Sequence, residues 1–168
     1  MPVDVVHIRP PRLKDAPALA SAYEEAWRNA YQGIIPHLSL ERMLARRGLH
    51  WWEGALRKRT PLLVLDFGGE AAGYATYGRS RLGRTQFQGE IFELYLRPIY
   101  QGLGLGEKLF DGARTRLAEQ RLKGLLVWAL ADNDSACGFY LRLGGKPIAE
   151  GAESFGEVSL RKVAFAWT

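Results

Sequence analysis

Hydrophobic positions in the first third of the chain recur every three to four residues, which is the spacing of helices. One such stripe predicts a helix that begins after Asp15, which is placed to cap it, and ends near Gly33. The predicted buried face of this helix consists of Leu19, Tyr23, Trp27 and Tyr31. Ser39 is placed to cap a second short helix, and residues 49–59 predict a third helical segment.

From residue 61 onward the pattern alternates between strands and helices. Residues 61–79 predict two strands joined at Gly68–Gly69, because a two-glycine connection between β-like runs favours a hairpin. In the last predicted strand the apolar phase shifts near Arg161–Lys162, which predicts a bulge. The remaining predicted elements are strands at 3–9, 90–96, 124–130, 146–151 and 157–167, and helices at 105–117 and 134–143.

This order of elements predicts an α/β (α+β) fold with a mixed, mostly antiparallel central sheet and helices on both faces. The strand–helix–strand unit at 90–130 predicts a right-handed parallel crossover. The continuous apolar run at 124–130 is typical of a strand that is covered on both faces. The length of 168 residues predicts a single domain that spans residues 1–168.

Composition narrows the class of protein. Hydrophobic residues make up 47% of the chain and charged residues 24%, values typical of a globular protein with a substantial core. We find no signal-peptide pattern at the N-terminus, and no stretch approaches the roughly 20 apolar residues of a membrane helix. Cys137 is the only cysteine, which excludes an intrachain disulfide. We therefore expect a cytoplasmic protein with no membrane partner.

The formal net charge of +5 favours anionic partners in general. The basic residues are scattered, and their modest clusters are most simply solvated surface. These clusters are residues 57–59 and the group Arg79, Arg81 and Arg84. Because no basic face with interleaved aromatic residues is visible, a nucleic-acid partner is not expected.

Three alternating glycines, Gly102, Gly104 and Gly106, mark the junction between a predicted strand and a predicted helix. They leave a row of backbone N–H groups almost uncovered at a helix N-terminus, where the helix dipole favours an anion such as pyrophosphate. A Walker A loop is excluded, since its lysine and hydroxyl should directly follow the last glycine. A dinucleotide fingerprint is excluded as well, because its third glycine would fall at Glu107.

A third pattern fits. The segment Gln101-x-x-Gly104-x-Gly106 resembles the Q/R-x-x-G-x-G/A acyl-CoA-binding motif of the GCN5-related N-acetyltransferase (GNAT) superfamily. The stretch "AWRNAYQGIIP" resembles the N-terminal helix and loop of many bacterial members, so the resemblance covers nearly the whole chain. The superfamily's N-x-x-A-x-x-F/L-Y segment is matched by Asn133, Ala136, Phe139 and Tyr140. The chain departs from the pattern at Gly145, where phenylalanine is frequent, and carries Gly138 inside the short helix.

The resemblance implies that the strands at 90–96 and 124–130 splay apart and admit the pantetheine arm of acetyl-CoA, the co-substrate. The main chain around Leu94, Tyr95 and Leu96 would pair with this arm like an added strand. Asn133 would hydrogen-bond the same arm. The loop residues implied to hold the pyrophosphate are Gln101, Gly102, Leu103, Gly104, Leu105 and Gly106.

Acetyl transfer to an amine needs an acid for the departing thiolate and a base for the amine. Tyr140 occupies the superfamily's tyrosine position and is the candidate acid, since a phenol with a pKa of about 10 is protonated at neutral pH. The alternative is a tyrosine that only packs against the sheet.

Glu93 is the candidate base, because a carboxylate inside an apolar strand is costly unless it has a function or a partner. The alternative is a carboxylate paired with a nearby arginine. Glu90 is the other candidate. It lies an odd number of residues away, on the opposite predicted face, so only one of the two carboxylates is predicted to face the acceptor, and Glu90 lies near the strand end, where solvent can reach it.

The acceptor site is implied by resemblance to lie under the N-terminal helices. The stripe of Tyr23, Trp27 and Tyr31 fits either a wall of that site or the core. Cys137 has no evident histidine partner and is interpreted as a packing residue. No metal is expected, since no metal-ligand spacing occurs at His7, His37 or His50.

The sequence therefore predicts an acetyl-CoA-dependent N-acetyltransferase that acts on a primary amine. The acceptor is a small molecule, a peptide N-terminus or a lysine, and the pattern does not choose among them. The alternative is a non-catalytic acyl-CoA-binding or sensing domain on the same fold, which would need neither Glu93 nor Tyr140. The sequence is compatible with a homodimer but does not predict the oligomeric state.

Overall fold

The computed structural model describes residues 5–83 and 85–168, so Arg84 and the first residues of the strand predicted at 3–9 lie outside the described chain. The described strands are β1 (Val6–Arg9), β2 (Leu62–Phe67), β3 (Glu70–Arg79), β4 (Gly89–Leu96), β5 (Leu125–Leu130), β6 (Lys146–Phe155) and β7 (Val158–Trp167). The described helices are α1 (Ala16–Tyr31), α2 (His37–Arg46), α3 (Leu49–Arg57), α4 (Leu105–Glu119) and α5 (Asp134–Arg142).

The strands form a mixed sheet in the order β1-β2-β3-β4-β5-β7-β6. Only β4 and β5 run parallel, and all other described neighbours are antiparallel. The hairpin predicted at Gly68–Gly69 is present, with positive φ at both glycines. The predicted fold class, including the parallel pair of β4 and β5, is confirmed.

The two larger hydrophobic cores lie on opposite faces of this sheet. One core joins α4 and α5 to the sheet, with Leu109, Phe110 and Tyr140 among its buried residues. The other joins α1, α2 and α3, and the predicted stripe of α1 lies within it or packs against it. The helices therefore cover both faces, as the pattern predicted.

The predicted helix starts are only partly correct. Asp15 stands at the N-cap of α1, but its carboxylate makes no capping bond to that helix. It pairs with Arg9 and accepts from the backbone N–H of Arg12 instead. Ser39 lies inside the first turn of α2, because that helix begins at His37 after Pro36. Within the described residues no helix is both long and apolar enough to cross a membrane.

An extra residue in β4 changes which side chains share a face. Glu93 lies opposite Thr76 and Glu90 opposite Gly78, so three steps on β4 match two on β3 and Phe92 occupies a bulge. Thr76 and Gly78 share a face, and opposed residues point the same way. Glu90 and Glu93 therefore face the same side, and the expectation of opposite faces is wrong.

The bulge predicted near Arg161–Lys162 is also wrong. β7 pairs regularly with both neighbours through these residues, and the irregularity lies in β6 between Pro147 and Ala149. The apolar phase changes because different helices cover the two halves of β7. Leu160 packs toward the core of α1 to α3, whereas Phe165 and Trp167 belong to the core of α4 and α5.

The absence of a side chain at Gly145 is compensated within the fold. A Cβ built at Gly145 would lie 2.5 Å from Cζ2 of Trp167 and 2.9 Å from the carbonyl oxygen of Tyr140. The Trp167 indole thus occupies the space beside the end of α5, and its Nε1 donates to the carbonyl of Leu143 at 3.1 Å. The apolar anchor expected after this helix is supplied from β7.

Alanine substitutions at Gly138 and Gly145 should shift stability in opposite directions. Gly138→Ala meets only the flexible end of Arg142 and should gain about 0.5–1 kcal/mol of helix stability. Gly145→Ala should lose about 1–3 kcal/mol, because the Trp167 ring and the Tyr140 carbonyl must move. Urea unfolding of both variants measures the difference, and equal midpoints would contradict this account of Gly145.

Candidate active site

A cleft opens where β4 and β5 separate. The two strands pair only from Gly89–Leu125 to Ile91–Val127, and beyond this point no further pairing joins their described residues. The cleft between them has a volume of about 740 Å³. Ala26 and Ala30 of α1 line it from one face of the sheet, and residues of α4 and α5 line it from the other. The opening therefore passes through the sheet.

The main chain of β4 turns polar groups toward this opening. The N–H of Arg97 donates to the carbonyl of Ala72 on the β3 side, so alternate residues Leu96 and Leu94 turn their backbone groups toward the gap. The backbone of Tyr95 faces β3 and is not available there. Of the three predicted residues, Leu94 and Leu96 thus offer main-chain groups, whereas Tyr95 contributes its side chain to the cleft wall.

The glycine loop ends in a helix N-terminus that is open to the same cleft. Gly102 and Gly104 have φ of +78° and +77°, and no atom lies within 4 Å of a Cβ built at either position. Gly104 is the N-cap of α4, so the first N–H groups of that helix have no partner within it. The N–H groups of residues 102–104 donate to no described residue. This arrangement suits an anion.

Other residues of the predicted loop support its shape. The Gln101 amide donates to the carbonyl of Leu96 at 3.2 Å and ties the loop to the end of β4. Leu103 is exposed, while Leu105 is buried in the core and anchors the first turn of α4. Gly106 faces Phe139 of α5, and a Cβ there would lie 3.1 Å from its ring. The absence of this Cβ lets α4 and α5 approach closely.

Asn133 and Tyr140 line the cleft from the β5 side. The Oδ1 of Asn133 accepts from the N–H of Ala136 and caps α5, and the side-chain amide interacts with the Tyr31 hydroxyl. Tyr140 is buried against Phe110 and Trp167, and burial raises its pKa above the ordinary value of 10. Its hydroxyl makes no hydrogen bond to the described residues. The phenol therefore keeps its proton, and its hydroxyl is available to a ligand in the cleft.

Glu93 lies outside the residues that line the cleft, and both of its oxygens are engaged. Arg47 donates from Nη1 to Oε2 at 3.0 Å and from Nη2 to Oε1 at 3.1 Å. The Tyr74 hydroxyl donates to Oε2 at 2.8 Å. The guanidinium also lies 4.3, 4.0 and 5.0 Å from the ring centroids of Tyr23, Trp51 and Trp52. This is the predicted alternative, a carboxylate paired with an arginine.

Glu90 is not solvated, contrary to expectation. Its side chain is fully buried, and Oε2 accepts from Nη2 of Arg81 at 2.7 Å while Oε1 accepts from the backbone N–H of the same residue. Arg81 follows β3 and precedes the described residues from Thr85 to Gln88. Glu90 thus stabilises the β3–β4 connection through its bonds to Arg81, and it does not line the cleft.

The family model of the acetyltransferase (GNAT) family matches residues 19–145. The chain belongs to the GNAT family. Membership confirms the predicted N-acetyltransferase activity with acetyl-CoA as donor, and it places both the glycine loop and the segment from Asn133 to Tyr140 inside the matched region.

Named relatives extend the match. The chain is 25% identical over 163 residues to the uncharacterized N-acetyltransferase YuaI of Bacillus subtilis (strain 168), covering 97% of this chain and 93% of the relative. It is 30% identical over 139 residues to an L-methionine sulfoximine/L-methionine sulfone acetyltransferase of Pseudomonas paraeruginosa (strain DSM 24068 / PA7), covering 82% of this chain and 78% of the relative.

Solved structures of GNAT proteins share the fold. PaiA N-acetyltransferase from Thermoplasma acidophilum, crystallised with coenzyme A, superposes with a TM-score of 0.72 at 16% identity. The superposition covers 94% of this chain and 97% of that one.

Sequence reasoning missed three features of this GNAT site. Arg47 was not singled out, although a carboxylate inside an apolar strand signals a buried cation somewhere in the chain. The hydrogen bond between the hydroxyls of Tyr31 and Tyr95 joins residues 64 positions apart and has no local signal. Arg142 of α5 lines the cleft and has no salt-bridge partner among the described residues.

Proposed function

We propose that the chain transfers the acetyl group of acetyl-CoA to a primary amine within the opening between β4 and β5. The observation that carries this proposal is the cleft through the sheet. Its α4 and α5 side offers an anion site and free strand backbone, which suit coenzyme A. Its α1 side gives an acceptor its own approach to the same point.

The donor side has a role for each group. The open N–H groups of residues 102–106 would hold the pyrophosphate, and the backbone of Leu94 and Leu96 would pair with the pantetheine arm. An amide hydrogen of Asn133 would donate to a pantetheine carbonyl. Arg142 offers a cation to a phosphate of the donor.

The reaction needs no covalent enzyme intermediate. The amine nitrogen attacks the thioester carbon, a C–N bond forms and the C–S bond breaks. One amine proton leaves, and the coenzyme A thiolate takes a proton from the Tyr140 hydroxyl. A backbone N–H of Leu94 or Leu96 would stabilise the oxyanion. Bulk water returns the proton to Tyr140 after product release.

An acceptor screen tests the function. The protein is mixed with acetyl-CoA and with small primary amines, peptides bearing a free N-terminus or lysine-containing peptides, and free thiol is recorded. Amine-dependent thiol release supports the proposal and identifies the acceptor class. Tight coenzyme A binding without thiol release for any amine would support the acyl-CoA-sensing alternative instead.

The role of Glu93 as base remains a prediction, and a pH–rate profile tests it. If Glu93 removes the amine proton through water, Glu93→Gln should be slow at neutral pH and partly recover in alkali, where free amine is abundant. Glu90→Gln should show the parent profile, because its carboxylate is buried with Arg81 away from the cleft.

Arg47→Gln separates a base from a purely structural carboxylate. This variant breaks the ion pair but leaves the carboxylate of Glu93 in place. If Glu93 is the base, only Glu93→Gln should recover activity in alkali. If the ion pair between Arg47 and Glu93 is only structural, both variants should lose activity equally at every pH. That outcome would contradict the role of Glu93 as base.

A further inference from the structure

Tyr95 lies between the two residues that present their backbone to the cleft. Leu94 and Leu96 turn their main chain toward the gap, so the side chain of Tyr95 stands within one residue of the place proposed for the thioester. This side chain points to the α1 face and lines the cleft together with Ala26 and Ala30. It is therefore on the side from which an acceptor would approach.

The Tyr95 hydroxyl has one partner among the described residues, the hydroxyl of Tyr31 at the end of α1. A hydroxyl has one donor and two acceptor sites, so a bond to Tyr31 leaves further capacity on Tyr95. Burial raises the pKa of both phenols, and both stay protonated and neutral at physiological pH. The pair thus offers an oxygen lone pair at the cleft without a charge.

We propose that the Tyr95 hydroxyl holds the acceptor amine and that Tyr31 is the positioning residue that orients it. This inference rests on the proposed function. An N–H of the amine donates to the Tyr95 oxygen, which directs the nitrogen lone pair toward the thioester carbon. The Tyr31 hydroxyl fixes the rotation of the Tyr95 hydroxyl, so it acts on the amine only through Tyr95.

The neighbouring groups support this assignment. Glu93, on the same face, has its carboxylate bound by Arg47 and Tyr74, so it has little capacity left for the amine itself. Asn133 holds its Oδ1 in the cap of α5, and its side chain also interacts with the Tyr31 hydroxyl. Tyr95 is therefore the half-buried side chain of β4 that reaches the α1 side of the cleft with an unused acceptor site.

Steady-state kinetics of Tyr95→Phe, Tyr31→Phe and the double variant test the proposal, with n-butylamine as the probe acceptor. Tyr95→Phe should raise KM for n-butylamine about tenfold, the effect of one lost neutral hydrogen bond. Tyr31→Phe should raise it by less, and the double variant should match Tyr95→Phe, because Tyr31 acts through Tyr95. Coenzyme A affinity of Tyr95→Phe by calorimetry should stay at the parent value, because the side chain of Tyr95 lies on the α1 side of the cleft.

Tyr23→Phe is the matched control. Its hydroxyl also belongs to α1 but donates to the carbonyl of Met43, outside the cleft, so KM for n-butylamine should not change. Independent, additive losses at Tyr31 and Tyr95, or an unchanged KM in Tyr95→Phe, would overturn the inference. If the parent itself releases no thiol with any amine, the proposed function has failed, which is a different result from an active parent with unaffected variants.

Discussion

Replacing Tyr140 by phenylalanine should lower turnover by about 10²- to 10⁴-fold, the usual contribution of a general acid. The ring stays packed against Phe110 and Trp167, so only the proton donor is lost. Acetyl-CoA affinity should remain nearly unchanged, because the hydroxyl is needed when the thiolate departs and not when the donor binds. Single-turnover thiol release and calorimetry with coenzyme A measure the two quantities separately.

The raised pKa of Tyr140 adds a pH test to this prediction. A phenol whose pKa lies above 10 keeps its proton throughout the neutral and mildly alkaline range. The parent should therefore show no loss of turnover from this group as the pH rises to 10. Tyr77→Phe, at another buried tyrosine of the same core, is the control and should turn over like the parent. Unchanged single-turnover rates in Tyr140→Phe would refute the acid.

Gly104→Val should abolish useful coenzyme A binding. A valine side chain would stand in the open space above the loop, where the pyrophosphate is proposed to lie. Losing two charge-assisted hydrogen bonds, each worth about 1.5 kcal/mol or more, weakens binding by about 100-fold or more. Calorimetric titration with coenzyme A reports the loss directly.

Backbone strain must be separated from lost contacts in this variant. Gly104 has φ of +77°, and a residue with a Cβ there costs about 1–2 kcal/mol of stability. Gly69→Val carries a similar cost, because Gly69 has φ of +97° in the β2–β3 turn and equally open space. Both variants should unfold earlier in urea, yet only Gly104→Val should lose coenzyme A. Equal affinity in the two would mean that the loop does not hold the donor.

The sequence predicted the elements of the fold well because each has a local cause. The two-glycine hairpin, the four-residue stripe of α1 and the glycines before α4 depend on neighbours in the chain. The proposed donor site could be predicted for the same reason, since residues 101–106 lie in one loop. The segment from Asn133 to Tyr140 likewise lies within α5 and its cap.

The acceptor side could not be predicted in this way. Its contacts join distant parts of the chain, such as Arg47 to Glu93 and Tyr31 to Tyr95, and no local pattern selects one arginine among 23 basic residues. The prediction that Glu90 and Glu93 lie on opposite faces of the sheet failed for a related reason. A bulge at Phe92 depends on how β4 registers with β3, and alternation along one strand cannot reveal it.

The tryptophans around Arg47 make the intrinsic fluorescence of the protein a probe of this region. Of its five tryptophans, Trp51 and Trp52 lie against this guanidinium, and Trp27 contacts Tyr23 and Tyr95 in the same group of rings. The emission of these three tryptophans should therefore respond to the position of α2 and α3 against β4. Stopped-flow fluorescence recorded while an amine binds in the absence of acetyl-CoA would report any movement of these helices in real time. The measurement needs no added label and no turnover.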